Sequence, residues 1–143
     1  MSKPSVGPGA LIVDDDLGFV CWLSERFKDV GHLCVPALNA RQAMYLVKKL
    51  ALKITVVVVN PELPGVRGLI KALNNTNTSP LRVIVIRDPT ASKTILLRSH
   101  AMLERPSGWE VASRHEWLRK LRMALKQAEQ TAANSKARDV VAH

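Results

Sequence analysis

The chain has 143 residues, of which 47% are hydrophobic, and a formal net charge of +9. That length fits one globular domain with a core of ordinary size. No apolar run approaches the roughly 20 residues of a membrane span, and MSKPSVGPGA is followed by no signal-peptide stretch, so a cytoplasmic protein is expected.

Cys21 and Cys34 lie in apolar-periodic stretches with no pairing pattern and no His spacing around them. This excludes a disulfide framework or a zinc site and predicts buried free thiols. Much of the positive charge falls late, in SRHEWLRKLRMALKQ. With few aromatics for base stacking and no nucleic-acid motif, that segment reads as a solvated helix face.

In chain order, residues 1–9 read as a flexible tail. ALIV at 10–13 has no alternation, the mark of a strand covered on both faces. DLGFVCWLSERFKDVG places Phe19, Val20, Leu23, Phe27 and Val30 on one helical face and stops at Gly31. HLCVPAL is a second strand, and Pro36 puts it at or near a sheet edge. NARQAMYLVKKLAL is a helix capped by Asn39, with Ala43, Leu46, Val47 and Leu50 inward. ITVVVV is a third, fully buried strand that stops at Asn60-Pro61.

After the turn NPELPGVRG, a helix is predicted from about Val66 to Asn74, then a polar loop and the strand RVIVI. TASKTILLRS allows a short helix, and AMLE forms a short fifth strand ending at Arg105-Pro106. Ser113 and Glu116 form a capping box for a last helix whose apolar stripe is Trp117, Leu121, Ala124, Leu125 and Ala128. The pattern fades beyond Ala133, so the folded domain is assigned to 10–133 and a tail to 134–143.

Strands alternating with helices predict an α/β fold, a doubly wound parallel sheet with helices on both faces. Such sheets place their functional cleft outside the carboxyl ends of the strands. The candidate residues are therefore Asp14, Asp15, Asp16, Asn60, Arg87, Asp88 and Arg105. His32, His100, His115 and His143 form no cluster in the sequence and are assigned no catalytic role.

LIVDDD, VVVVNPELPGVRG, RVIVIRD and MLERP, in that order and at those intervals, resemble the strand tips of a receiver domain. Over about Ala10 to Leu125 the chain is similar to the receivers of bacterial two-component response regulators. The resemblance implies a flavodoxin-like (βα)5 sandwich with sheet order 2-1-3-4-5, and a non-enzymatic signalling role. It implies that Asp14 and Asp15 match an acidic pair that helps bind Mg²⁺. Asn60 stands where the family has the aspartate that accepts a phosphoryl group from a histidine kinase. Glu62 stands where a backbone carbonyl completes the metal shell. Arg87 replaces a Thr or Ser, Arg105 replaces the Lys before a Pro that is usually cis, here Pro106, and Met102 replaces a switching aromatic.

A carboxamide is not a nucleophile, so the acyl phosphate cannot form at Asn60. Deamidation to Asp would require attack by the next backbone N–H, which Pro61 lacks. Asp14 and Asp15 are balanced by Arg87 and Arg105, whose planar forks suit carboxylates, so a metal-independent salt-bridge cluster is expected. No cofactor is expected; any residual, weak Mg²⁺ site would use Asp15, Asn60 and the Glu62 carbonyl. Plainer readings stand beside these. The three aspartates are also candidate caps of the first helix, the only role assigned to Asp16. Arg87 is a candidate for snorkelling to solvent, and Pro106 for an ordinary trans turn.

The sequence thus reads as a degenerate receiver, or pseudo-receiver, that binds a protein partner independently of phosphorylation. In the family, partners and dimerisation use the face formed by the fourth helix, fifth strand and fifth helix, here parts of 91–98, 100–104 and 113–128. Arg114, Arg119, Lys120, Arg122 and Lys126 on that face call for an acidic partner surface, a histidine kinase or another regulator, or a second copy in a homodimer. Trp109, in the long lead-in to the last helix, is a candidate for covering its own domain's edge, with presentation to a partner as the alternative. The alternatives are a receiver phosphorylated at another carboxylate, Asp88 or Asp15, and a basic nucleic-acid-binding accessory protein.

Overall fold

A computed structural model describes residues 9–76, 80–88, 99–105, 108 and 113–141, with side chains described as far as residue 134. The strands are β1 (Ala10–Val13), β2 (Cys34–Ala37), β3 (Val56–Val59), β4 (Arg82–Arg87) and β5 (Ala101–Glu104). The helices among the described residues are α1 (Leu17–Asp29), α2 (Ala40–Lys49), α3 (Val66–Thr76) and α4 (Arg114–Val141). The strands form one parallel sheet in the order β2-β1-β3-β4-β5. This is the predicted flavodoxin-like order. Pro36 lies on the edge strand β2, where its missing N–H costs no ladder bond.

The unbroken apolar strands arise because both faces of the sheet are covered. Ala10, Ile12, Val56, Val58, Ile84 and Ile86 point into one core with α1 and α4. Leu11, Val13, Val57, Val59, Val83 and Val85 point the other way, into a core with α2 and α3. On α1, Phe19, Val20, Leu23 and Phe27 are buried as their spacing requires. Burying each such side chain contributes roughly 2 kcal/mol. Gly31, at φ +89°, ends the segment.

The last helix buries Trp117, Leu121, Ala124, Leu125 and Ala128, the expected stripe, together with Ala132. Trp117 meets Trp22 of α1 edge to face, with ring centroids 5.2 Å apart. Of the expected capping box one half is present: Ser113 Oγ accepts from Glu116 N, while the Glu116 carboxylate turns to Lys120 at 3.6 Å. The helix continues past Ala133 to Val141 although the apolar pattern fades.

Three local expectations are corrected. Leu50 is exposed, because it follows the last residue of α2 and has left the inward stripe. Cys21 is exposed, lying off the buried stripe of α1. Cys34 is a half-buried free thiol on the edge strand β2. The helix within TASKTILLRS, Pro106 and Trp109 fall outside the described residues. Among those described, no helix is long and apolar enough to cross a membrane.

Candidate functional site

The strands' carboxyl ends bring the candidate residues to one edge of the sheet. Past β1, Asp14 keeps its backbone N–H on the Ala37 carbonyl at 3.1 Å. Its side chain is fully buried, and Oδ1 accepts from the Asp16 N–H at 2.9 Å. Asp16 caps α1: its backbone is extended and its Oδ1 accepts from Phe19 N at 3.1 Å. Asp15, between them, is exposed.

Arg105 follows the edge strand β5 and is positioned by its own N–H, which donates to the Arg87 carbonyl at 2.7 Å. Its guanidinium donates to Asp16 Oδ2 and lies 3.6 Å from Asp14 Oδ1. The same group lies over the Phe19 ring, 4.5 Å from its centroid. One cation thus joins two carboxylates and an aromatic face, an arrangement the planar, always-charged guanidinium suits better than an ammonium. Asp14 Oδ2 is buried without a hydrogen-bond partner among the described residues. Burial drives the Asp14 carboxyl above the ordinary carboxylate range, against the lowering effects of the Asp16 N–H and Arg105.

Asn60 forms the floor of the neighbouring turn. Its N–H donates to the Val13 carbonyl at 2.9 Å, Oδ1 accepts from Glu62 N at 3.0 Å, and its carbonyl accepts from Leu63 N at 3.3 Å. The amide oxygen is therefore engaged within its own turn, as Asn before Pro favours. Gly65, at φ +80°, closes the turn, and its carbonyl accepts from Leu69 N in the first turn of α3. Glu62 is exposed.

The structure thus assembles a cluster different from the one expected. Asp14 and Arg105 meet, but the second acid is Asp16, which does more than cap its helix. Asp15 and Arg87 are exposed and make no ion pair among the described residues. Arg87 ends β4 opposite Glu104 and contributes its carbonyl to Arg105. Asp88 and Met102 are also exposed. Among the described residues, no three His, Cys, Asp or Glu side chains converge as a metal site.

On α4, Arg114, Arg119, Lys120, Arg122 and Lys126 are all exposed. Arg114 pairs with Asp29 of α1 at 3.1 Å and Lys120 with Glu116, whereas Arg119, Arg122 and Lys126 make no ion pair among the described residues. Glu129 reaches Arg82 at 3.9 Å. Residues 100 and 101–104 of the expected face are described, but 91–98 are not.

No protein-family model matches the chain, and no curated protein matches it. Solved structures do. The chemotaxis response regulator CheY4 of Vibrio cholerae is similar at 16% identity and a TM-score of 0.57, over 83% of this chain and 99% of that one. The signal receiver domain of an HD domain-containing protein from Pseudomonas fluorescens Pf-5 is similar at 17% identity and a TM-score of 0.60, covering 91% and 95%. NtrX from Brucella abortus, in complex with ADP, reaches a TM-score of 0.62 at 18% identity, over 94% of this chain and 29% of that one. The chain therefore has the fold of response-regulator receiver domains.

Proposed function

We propose that the chain is a degenerate receiver that works as a phosphorylation-independent protein-interaction module rather than an enzyme, in the cytoplasm. The observation that carries this reading is the Arg105 guanidinium on Asp14 and Asp16 at the strand tips. A receiver of the ordinary kind recruits Mg²⁺ there with an excess of carboxylates and transfers a phosphoryl group to an aspartate. Here a fixed cation already faces the buried acid, Asn60 Oδ1 is taken by its own turn, and the acceptor position holds an amide. The two carboxylates are engaged by an arginine, whose positive charge opposes a divalent cation at the same place.

Partner binding is assigned to the α4 side. Arg119, Arg122 and Lys126 recur at i, i+3 and i+7, so they share one exposed side of the helix. A row of cations with no ion pair among the described residues favours an acidic protein surface and speeds encounter with it. A histidine kinase or another regulator fits that description, and a homodimer through α4 and β5 is the second mode.

Isothermal titration with Mg²⁺ tests the site. The expected result is no binding at millimolar metal; binding that is abolished by Asp15→Asn overturns the reading. For the interaction, partners captured from the host with immobilised wild-type protein and with Arg119→Glu/Arg122→Glu are compared, with and without acetyl phosphate. Capture lost in the variant and indifferent to acetyl phosphate is expected, and capture that requires acetyl phosphate contradicts it.

A further inference from the structure

The larger share of the positive charge lies away from α4. Between Leu33 and Leu81 the chain carries six basic residues, Arg41, Lys48, Lys49, Lys53, Arg67 and Lys71, against one acid, Glu62. Five of the nine net positive charges therefore belong to the layer formed by α2 and α3 and their connections. All six basic side chains are exposed.

The helical period sorts them. On α2, Arg41, Tyr45, Lys48 and Lys49 recur at i, i+4, i+7 and i+8, all exposed. On α3, Arg67, Lys71, Asn74 and Asn75 repeat the same spacing, also exposed. Each row spans about 12 Å at 1.5 Å per residue. The two helices cover the same face of the sheet and share its core through Ala40, Ala43, Val66, Leu69 and Leu73. Packed helices lie about 8–10 Å apart, so the rows form one two-lane basic surface on a rigid support. Among the described residues, Arg41, Lys48, Lys49, Lys53 and Lys71 have no ion pair; Lys49 instead donates to the Tyr45 hydroxyl at 2.9 Å.

We infer that this α2–α3 face binds duplex nucleic acid through its sugar-phosphate backbone, without reading sequence. Three features select that occupant. Four of the six cations are lysines, which are depleted from protein–protein interfaces but serve well as point charges on phosphates. The amides of Asn74 and Asn75 and the hydroxyl of Tyr45 add neutral hydrogen-bonding groups of the kind that contact phosphate and sugar. Both helices spend their apolar sides on the sheet, leaving no hydrophobic face of the sort that lays a basic helix into a membrane surface. The scarcity of aromatics, which argues against base stacking, is no obstacle to backbone binding of a duplex.

The test is fluorescence anisotropy of the full chain with a labelled duplex DNA and a labelled duplex RNA over a salt series, for wild type, Lys48→Glu, Lys71→Glu and the double variant. Binding to duplex that weakens linearly in log salt is expected. The double variant should lose about tenfold or more in affinity, and its salt slope should fall by about 2. Lys28→Glu, an equal charge change on α1, should shift affinity by less than the reversals on α2 and α3. Circular dichroism should show all variants folded, as exposed charges allow. Three results overturn the inference: no salt-dependent binding to either duplex; a loss from Arg122→Glu on α4 as large as from the double variant; or α2–α3-dependent binding to phosphatidylserine vesicles or polyglutamate in place of duplex.

Discussion

Arg105 stacks its guanidinium 4.5 Å from the centroid of the Phe19 ring, tying the end of the edge strand β5 to the first turn of α1. The same group holds Asp14 and Asp16, so its loss strands a buried carboxylate. Arg105→Ala is expected to cost about 2 kcal/mol or more in urea unfolding, and Arg105→Lys about 1 kcal/mol, since an ammonium keeps the charge but not the planar contact. Adding Asp14→Asn to Arg105→Ala should recover part of that loss, the sign of direct coupling.

Burial raises Asp14 above its ordinary 3.8, so the folded chain keeps this proton at pH values where the unfolded chain has released it. The stability contributed by protonated Asp14 is full below 3.8 and is lost as pH rises through the raised folded value. Asp14→Asn removes that decline. Thermal melts across the acid range should show the variant gaining on wild type as pH rises.

The two thiols should differ sharply in reactivity. Burial pushes the Cys34 thiol up to about 12, whereas Cys21 is exposed on α1. Maleimide labelling of the native protein at neutral pH should add one group rapidly, and none in Cys21→Ser; labelling in denaturant should add a second.

Gly65 and Gly31 separate backbone strain from crowding. Both have positive φ, +80° and +89°, but a Cβ on Gly65 would lie 3.3 Å from the Ala40 Cβ, whereas one on Gly31 would meet nothing. Gly31→Ala should cost about 1 kcal/mol and Gly65→Ala about 2 kcal/mol by chemical denaturation.

Strand identity and the α4 stripe were legible because they depend on apolar spacing alone, whereas the sheet order was implied by the resemblance that the strand-tip motifs carry. Ala10 to Val13 and Val56 to Val59 read as doubly covered strands, and they are. The site was legible only to within a residue. In DDD, nothing local distinguishes Asp15 from Asp16; the choice is made by the start of α1, which turns Asp15 to solvent and aims Asp16 Oδ2 at Arg105. Phe19 was visible as core, but its second contact, with Arg105 on a distant strand, has no sequence signature. The basic rows of α2 and α3 have helical spacing in the sequence, but only the packing of the two helices on one core joins them into a surface.

Whether this receiver fold, with Asn60 at the acceptor position, takes a phosphoryl group is measured most directly by intact mass after incubation with acetyl phosphate and Mg²⁺. An unmodified mass is expected at times when an active receiver in the same reaction is labelled. Addition of one phosphoryl group that disappears in Asp15→Asn or Asp88→Asn would contradict it.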